Sequence, residues 1–148
     1  MINTDSERNS GGKTILIVED EALLRDMERS ILQACGYNIL EAESARLALE
    51  VWEQQSEKID LLLTDIMLPR GISGFELARR LFNRRPQLKI IFTTGRIARD
   101  TNHEMIGRMN ARFLQKPYQH GELIKIVSEA LGEPVRQDFT EPVAAPAT

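Results

Sequence analysis

The chain has 148 residues, 42% hydrophobic and 28% charged, with a formal net charge of -3. That apolar content supports one core of ordinary domain size and excludes global disorder, and the acidic balance argues against a nucleic-acid binder. The single Cys35 excludes an internal disulfide and points to a reducing, cytoplasmic setting; no signal peptide is visible, and the apolar runs are too short for membrane insertion.

Residues 1–12 are polar, end in Ser10-Gly11-Gly12 and read as a disordered tail. Residues 15–18 form a continuous apolar run, the pattern of a strand buried on both faces. Residues 22–34 follow with Leu23, Met27, Ile31 and Ala34 at helical spacing, and Gly36 is a stop signal. Ile39-Leu40 is a short second strand; Ser44 can cap a helix carrying Leu47, Ala48 and Val51 on one side. Residues 59–63 are the third strand. Ser73-Gly74-Phe75-Glu76 is a capping box opening a helix with Leu77, Leu81 and Phe82. Residues 88–92 are the fourth strand, and Thr101-Asn102-His103-Glu104 is a second capping box before a weakly apolar helix near Met105 and Met109. Residues 111–114 are the fifth strand, and Leu123, Ile124, Ile126, Val127 and Ala130 mark the last helix. Gly132 and Pro134 end it, and residues 132–148 read as a disordered Pro/Ala-rich tail, leaving 13–131 as the folded unit.

Short, fully apolar strands joined by helices imply a parallel sheet covered on both faces. Right-handed crossovers favour the flavodoxin-like (βα)5 doubly wound order 2-1-3-4-5, in which ligands sit beyond the carboxyl ends of the strands, at the switch point between strands 1 and 3. Glu19-Asp20 ends strand 1, Asp65 ends strand 3, Thr94 ends strand 4 and Lys116-Pro117 follows strand 5. Converging carboxylates repel one another, and a hard divalent cation such as Mg²⁺ relieves that repulsion. A lysine beside them supplies a point charge suited to a phosphoryl group, and a carboxylate can itself be the nucleophile that carries an acyl phosphate.

Val18-Glu19-Asp20, the run Thr64-Asp65-Ile66-Met67-Leu68-Pro69, Thr93-Thr94-Gly95 and Gln115-Lys116-Pro117-Tyr118 resemble the four signature segments of receiver domains of two-component response regulators. Each segment alone is weak; four in order, each at a strand end, are specific. The resemblance implies Asp65 as phosphoacceptor, Asp20 as direct Mg²⁺ ligand, Glu19 as a water-mediated one and the Met67 carbonyl as a further contributor. It implies that Thr94 hydrogen-bonds the phosphoryl group, that Lys116 pairs with its charge, that Phe113 is the aromatic rotamer switch and that Lys116-Pro117 is cis. It also places Met67 and Arg96 beside the approach of the hydrolytic water; neither is a general base, so self-dephosphorylation is expected to be slow. Phosphate would come from a sensor histidine kinase or a histidine phosphotransfer protein, and the helix 4–strand 5–helix 5 face would serve a homodimer. Two departures stand out: the loop Pro69-Arg70-Gly71-Ile72-Ser73-Gly74 is one residue longer than in the commonest receivers, and Phe113 lacks a hydroxyl.

Competing readings are weaker. Gly12-Lys13-Thr14 resembles the end of a phosphate-binding loop, but Glu7 stands where that loop needs glycine, and the segment precedes a strand. Arg79, Arg80, Arg84 and Arg85 read as a solvated helix face, and His103 and His120 lack metal-ligand spacing. An aspartate-dependent phosphatase needs its nucleophile after strand 1 and a second acid two residues on; here position 67 is Met. With no output module expected after residue 131, the chain reads as a stand-alone switch that binds a partner or relays phosphate. The alternative is a phosphorylation-independent scaffold on the same fold.

Overall fold

A computed structural model describes residues 12–95 and 103–133. Of the tails read at 1–12 and 132–148, residues 1–11 and 134–148 lie outside the described residues, as do the Thr101-Asn102 part of the second capping box and Arg96. Elements run β1 (Thr14–Val18), α1 (Ala22–Ala34), β2 (Asn38–Ala42), α2 (Ala45–Gln55), β3 (Leu61–Asp65), α3 (Gly74–Arg84), β4 (Lys89–Thr94), α4 (His103–Met109), β5 (Arg112–Gln115) and α5 (His120–Ala130). The sheet is parallel throughout, in the order β2-β1-β3-β4-β5.

The two faces follow from strand alternation. Leu16, Val18, Leu62, Ile90 and Phe92 point to one face, where Ala48 and Trp52 of α2, Leu77 and Leu81 of α3, and Ile106 and Met109 of α4 cover them. Ile15, Ile17, Leu61, Leu63 and Ile91 point to the other, against Ile31 and Leu32 of α1 and Leu123 and Val127 of α5. β1 is buried at every position because both faces are covered, whereas β5, at the sheet edge, buries only Leu114.

Several local expectations shift. The third strand begins at Leu61, because Ile59, though buried, closes a short 3₁₀ turn with its N–H on the Ser56 carbonyl; the strand runs on through Asp65. The fourth extends to Thr94 and the fifth to Gln115, since pairing Thr94 with Gln115 continues past the apolar runs. Of the α1 stripe, Ile31 is buried and Met27 packs partly against the core, but Leu23 is 85% exposed and Ala34 is also exposed; Glu28, Leu32 and Cys35 face the core in their place. α2 turns Ala45, Ala48 and Trp52 inward, leaving Leu47 and Val51 partly covered. Ser44 and Ser73 do cap their helices, accepting from the N–H groups of Leu47 and Glu76. The Ser73 box is half formed: the Glu76 carboxylate turns to Arg79 and Arg80, whose hydrogen bonds hold it down to a pKa of about 2. A box missed by inspection opens α5, where Glu122 accepts the Gln119 N–H at 2.8 Å.

Gly36 ends α1 at φ +97°, with the Tyr37 N–H on the Leu32 carbonyl, as its stop signal implies. The long loop after β3 reverses through Arg70 and Gly71, at φ +55° and +80°. It returns to Gly74, whose N–H donates to the Ile66 carbonyl at 2.8 Å.

Candidate functional site

Parallel strands place Val18, Asp65, Thr94 and Gln115 at one sheet edge, so the side chains that follow converge there. Asp65 closes β3 in register with Thr93, and Glu19 is anchored by its N–H on the Ala42 carbonyl at 3.1 Å. Glu19, Asp20 and Asp65 offer carboxylate oxygens that all lie within 4.8 Å of one another. Glu19 is 1% exposed, Asp20 is exposed and Asp65 is partly covered. Burial pushes the Glu19 carboxyl above its ordinary value, against the pull of the Glu21 N–H and of Lys116.

Lys116 bridges the group. Its Nζ donates to Asp65 Oδ2 at 3.0 Å and to Glu19 Oε1 at 3.1 Å, and its backbone N–H donates to the Thr94 carbonyl at 2.8 Å. Burial alone would lower the ammonium; hydrogen bonds to Asp65 and Glu19, with their charges, raise it net, so it stays protonated. Lys116-Pro117 is cis. The other Asp65 oxygen, Oδ1, accepts the Met67 N–H at 3.2 Å, while the Met67 side chain is 70% exposed. Thr94 is buried at the end of β4. Phe113 is 41% exposed, its ring 5.6 Å from that of Phe92, so it stands in an outward position.

The structure thus brings together Glu19, Asp20, Asp65 and Lys116, with Met67 in the loop two residues past β3 and Thr94 at the end of β4. The three-carboxylate donor set fits a hard divalent cation, which takes oxygen ligands and tolerates open positions.

Three supporting residues escaped the sequence reading. Arg25 donates to the Glu19 carbonyl at 2.6 Å and pairs with Glu41 at 3.4 Å, tying α1 and β2 to the acid loop. Gly74 is irreplaceable by size: a Cβ there would stand 1.8 Å from the Asp65 carbonyl oxygen. Glu28 is 1% exposed and accepts a hydrogen bond from the Tyr118 hydroxyl. The available signal for Glu28 was a charge between Met27 and Ile31 on an otherwise apolar helix face.

The basic run of α3 is used internally. Arg79 and Arg80 pair with Glu76, Arg84 pairs with Glu53 at 2.7 Å, and the Arg85 guanidinium sits 5.0 Å from the Trp52 ring centroid. No described helix is long and apolar enough to cross a membrane.

A doubly wound parallel sheet with three acids and a lysine at its carboxyl edge defines an α/β protein whose candidate site lies at the strand ends, beside the switch point between β1 and β3. The sequence matches the response regulator receiver domain family over residues 15–128. This chain belongs to that family of signalling switches, and its role is that of a response regulator phosphoacceptor. It is 34% identical over 119 residues to the response regulator receiver protein CpdR of Brucella abortus, covering 80% of this chain and 97% of that one. It is 38% identical over 136 residues to the phosphate regulon transcriptional regulatory protein PhoB of Pseudomonas aeruginosa, covering 89% of this chain but only 57% of PhoB. Among solved structures, a CheY-like receiver domain protein from Methanospirillum hungatei superposes with a TM-score of 0.74 at 30% identity, covering 82% of this chain and 94% of that one.

Proposed function

We propose that Asp65 is the phosphoacceptor of a Mg²⁺-dependent switch. The observation that carries this is the Asp65 carboxylate at the end of β3, hydrogen-bonded to Lys116 Nζ at 3.0 Å and clustered with Glu19 and Asp20 within 4.8 Å. Glu19, Asp20, Asp65 and the Met67 carbonyl would hold Mg²⁺. Bound there, the ion offsets the acids' negative charge and polarises the phosphoryl oxygens.

In the transfer, an Asp65 oxygen forms the O–P bond while the donor's P–N or P–O bond breaks, its electron pair leaving with the donor. Lys116 turns from Asp65 to the incoming phosphoryl charge. Thr94 then donates its hydroxyl to a phosphoryl oxygen, and Phe113 turns from its outward position into the space that Thr94 leaves. That local charge event becomes a change of the α4–β5–α5 face. A sensor histidine kinase or a histidine phosphotransfer protein supplies the phosphate, in the cytoplasm. The altered face then engages a partner or a second copy of the chain, or the phosphate passes on. The domain spans 13–131, and the chain catalyses its own phosphorylation and, slowly, its dephosphorylation. A phosphorylation-independent scaffold is disfavoured, because acids that only capped helices would not be joined by a lysine held between two of them.

Intact-mass spectrometry with acetyl phosphate tests the reading. One phosphoryl group is expected in the presence of Mg²⁺, with none in chelator and none in Asp65→Asn. Labelling that survives either change assigns the chemistry elsewhere.

A further inference from the structure

The Glu28–Tyr118 pair lies outside the phosphoacceptor chemistry and is costly to keep. Glu28 sits on the inner face of α1, 1% exposed, beside Ile31 and Leu32 of the core cluster that also receives Met27 and Tyr118. Burial lifts its carboxyl to a pKa of about 7 despite the Tyr118 hydrogen bond, and pushes the phenol of Tyr118 up as well. A slot that needed only filling would take leucine or methionine without that desolvation. The polar pair therefore calls for a reason beyond packing.

Placement supplies one. Tyr118 lies two residues past Lys116, and the intervening Pro117 fixes its own φ, so the segment has few free torsions. Leu24 and Met27 of α1 line a groove together with Lys116, Pro117 and Tyr118. The same helix holds the acid loop through Arg25, which donates to the Glu19 carbonyl at 2.6 Å. α1 is thus attached at one point to the acids that end β1 and at another to the loop that carries the lysine.

We infer that Glu28 is a positioning residue for phosphoryl transfer: by accepting the Tyr118 hydroxyl it holds the Lys116-Pro117-Tyr118 loop on α1 and sets Lys116 Nζ over Asp65. Glu28 touches neither phosphate nor cation. Its carboxyl accepts the phenol O–H whether or not it carries a proton, because one oxygen keeps its lone pairs in both forms. Packing orients the lysine loop only coarsely, whereas a buried hydrogen bond fixes it in one register. This role for Glu28 rests on the assignment of Asp65 as phosphoacceptor.

The test is the labelling rate by acetyl phosphate at saturating Mg²⁺, followed by intact mass, alongside melting temperature and Mg²⁺ affinity. Glu28→Met and Tyr118→Phe should each slow labelling roughly five- to tenfold, the rate equivalent of one net hydrogen bond, with Mg²⁺ affinity unchanged. Glu28→Gln, which keeps an acceptor oxygen, should restore most of the rate. The double variant Glu28→Met/Tyr118→Phe leaves no buried polar group unpaired, so it should melt at or above the wild type yet label no faster than either single variant. A stable double variant that labels at the wild-type rate overturns the inference, as does a double variant whose loss is the product of the single losses. Wild-type protein that fails to label overturns the Asp65 assignment and this inference with it; wild-type labelling with unaffected Glu28→Met overturns only the latter.

Discussion

Replacing Asp20 by Asn should make the metal-free protein more stable and the Mg²⁺-loaded protein less stable. Asp20 is exposed, and its carboxylate lies within 4.8 Å of those of Glu19 and Asp65. Lys116 pairs with those two acids, and no cation among the described residues pairs with Asp20. Asp20 therefore faces two negative charges and one positive, a net repulsion from about one charge. At that separation and in a water-like dielectric, one charge pair is worth about 0.9 kcal/mol. Losing the favourable interaction with the α1 dipole takes back about 0.3 kcal/mol, leaving a gain of about 0.6 kcal/mol. For a domain of this size that is about 2–3 °C in melting temperature. Mg²⁺ at ten times its dissociation constant should stabilise the wild type by about 1.4 kcal/mol, or about 4–7 °C, and the variant by much less at the same concentration. The order of the two proteins should thus reverse on adding the ion. Melting curves in chelator and in Mg²⁺, at low ionic strength, give the comparison, and the metal-free gain should vanish in 1 M salt, where the screening length is about 3 Å. A variant that melts below the wild type in both conditions, or level with it in both, would refute a cluster of repelling acids. Asp65→Asn should show a smaller metal-free gain, because it also removes a partner of Lys116.

Gly74→Ala should destabilise the fold by about 1–3 kcal/mol, seen as a lower urea midpoint at unchanged slope, since its Cβ would stand 1.8 Å from the Asp65 carbonyl oxygen; a midpoint within error of wild type would contradict that packing. Glu28 makes stability depend on pH: burial raises its folded value from 4.5 to about 7, so the native state holds a proton that the unfolded state releases. Below about pH 4.5 both states are protonated; as pH rises from 4.5 to 7 the wild type should lose stability relative to Glu28→Gln, by the order of 3 kcal/mol in all, and the difference should be flat above that. Denaturant midpoints of the two proteins at pH 5 and pH 8 measure it, and parallel pH profiles would show that Glu28 is not buried as described. Met67→Asn should shorten the life of the aspartyl phosphate once donor is removed, because an amide can orient water where Met67 cannot; equal or slower decay in the variant would remove Met67 from that role.

The placement of the strand-end residues was legible in the sequence because it depends on local pattern. Continuous apolar runs mark strands buried on both faces, and the residues just after each run must then stand at one edge of a parallel sheet; that logic places Glu19, Asp20, Asp65, Thr94 and Lys116 together. Gly36 and Ser44 were equally readable, because a left-handed helix stop and a side-chain cap are settled within a few residues.

What only tertiary structure decided is everything that depends on which distant surface a side chain meets. Leu23 and Glu28 lie five positions apart on one helix, and hydropathy alone assigns Leu23 to the core; the position of α1 against α5 and the sheet leaves Leu23 in solvent and buries Glu28 beneath Tyr118, 90 residues away. Lys116 reaches Glu19 across 97 residues, a contact no window of sequence contains; Gly74 closes on the backbone of Asp65 only because the loop between them turns back through Arg70 and Gly71. Strand ends ran past their apolar runs for the same reason: pairing continues as long as a neighbouring strand supplies hydrogen bonds, even where the side chains turn polar at Thr94 and Gln115. The sequence therefore determined which groups gather at the sheet edge, through local periodicity and residue type. The packing of α1 and the β5–α5 loop decided how the lysine among them is held, because that depends on long-range contacts formed only when the chain is folded.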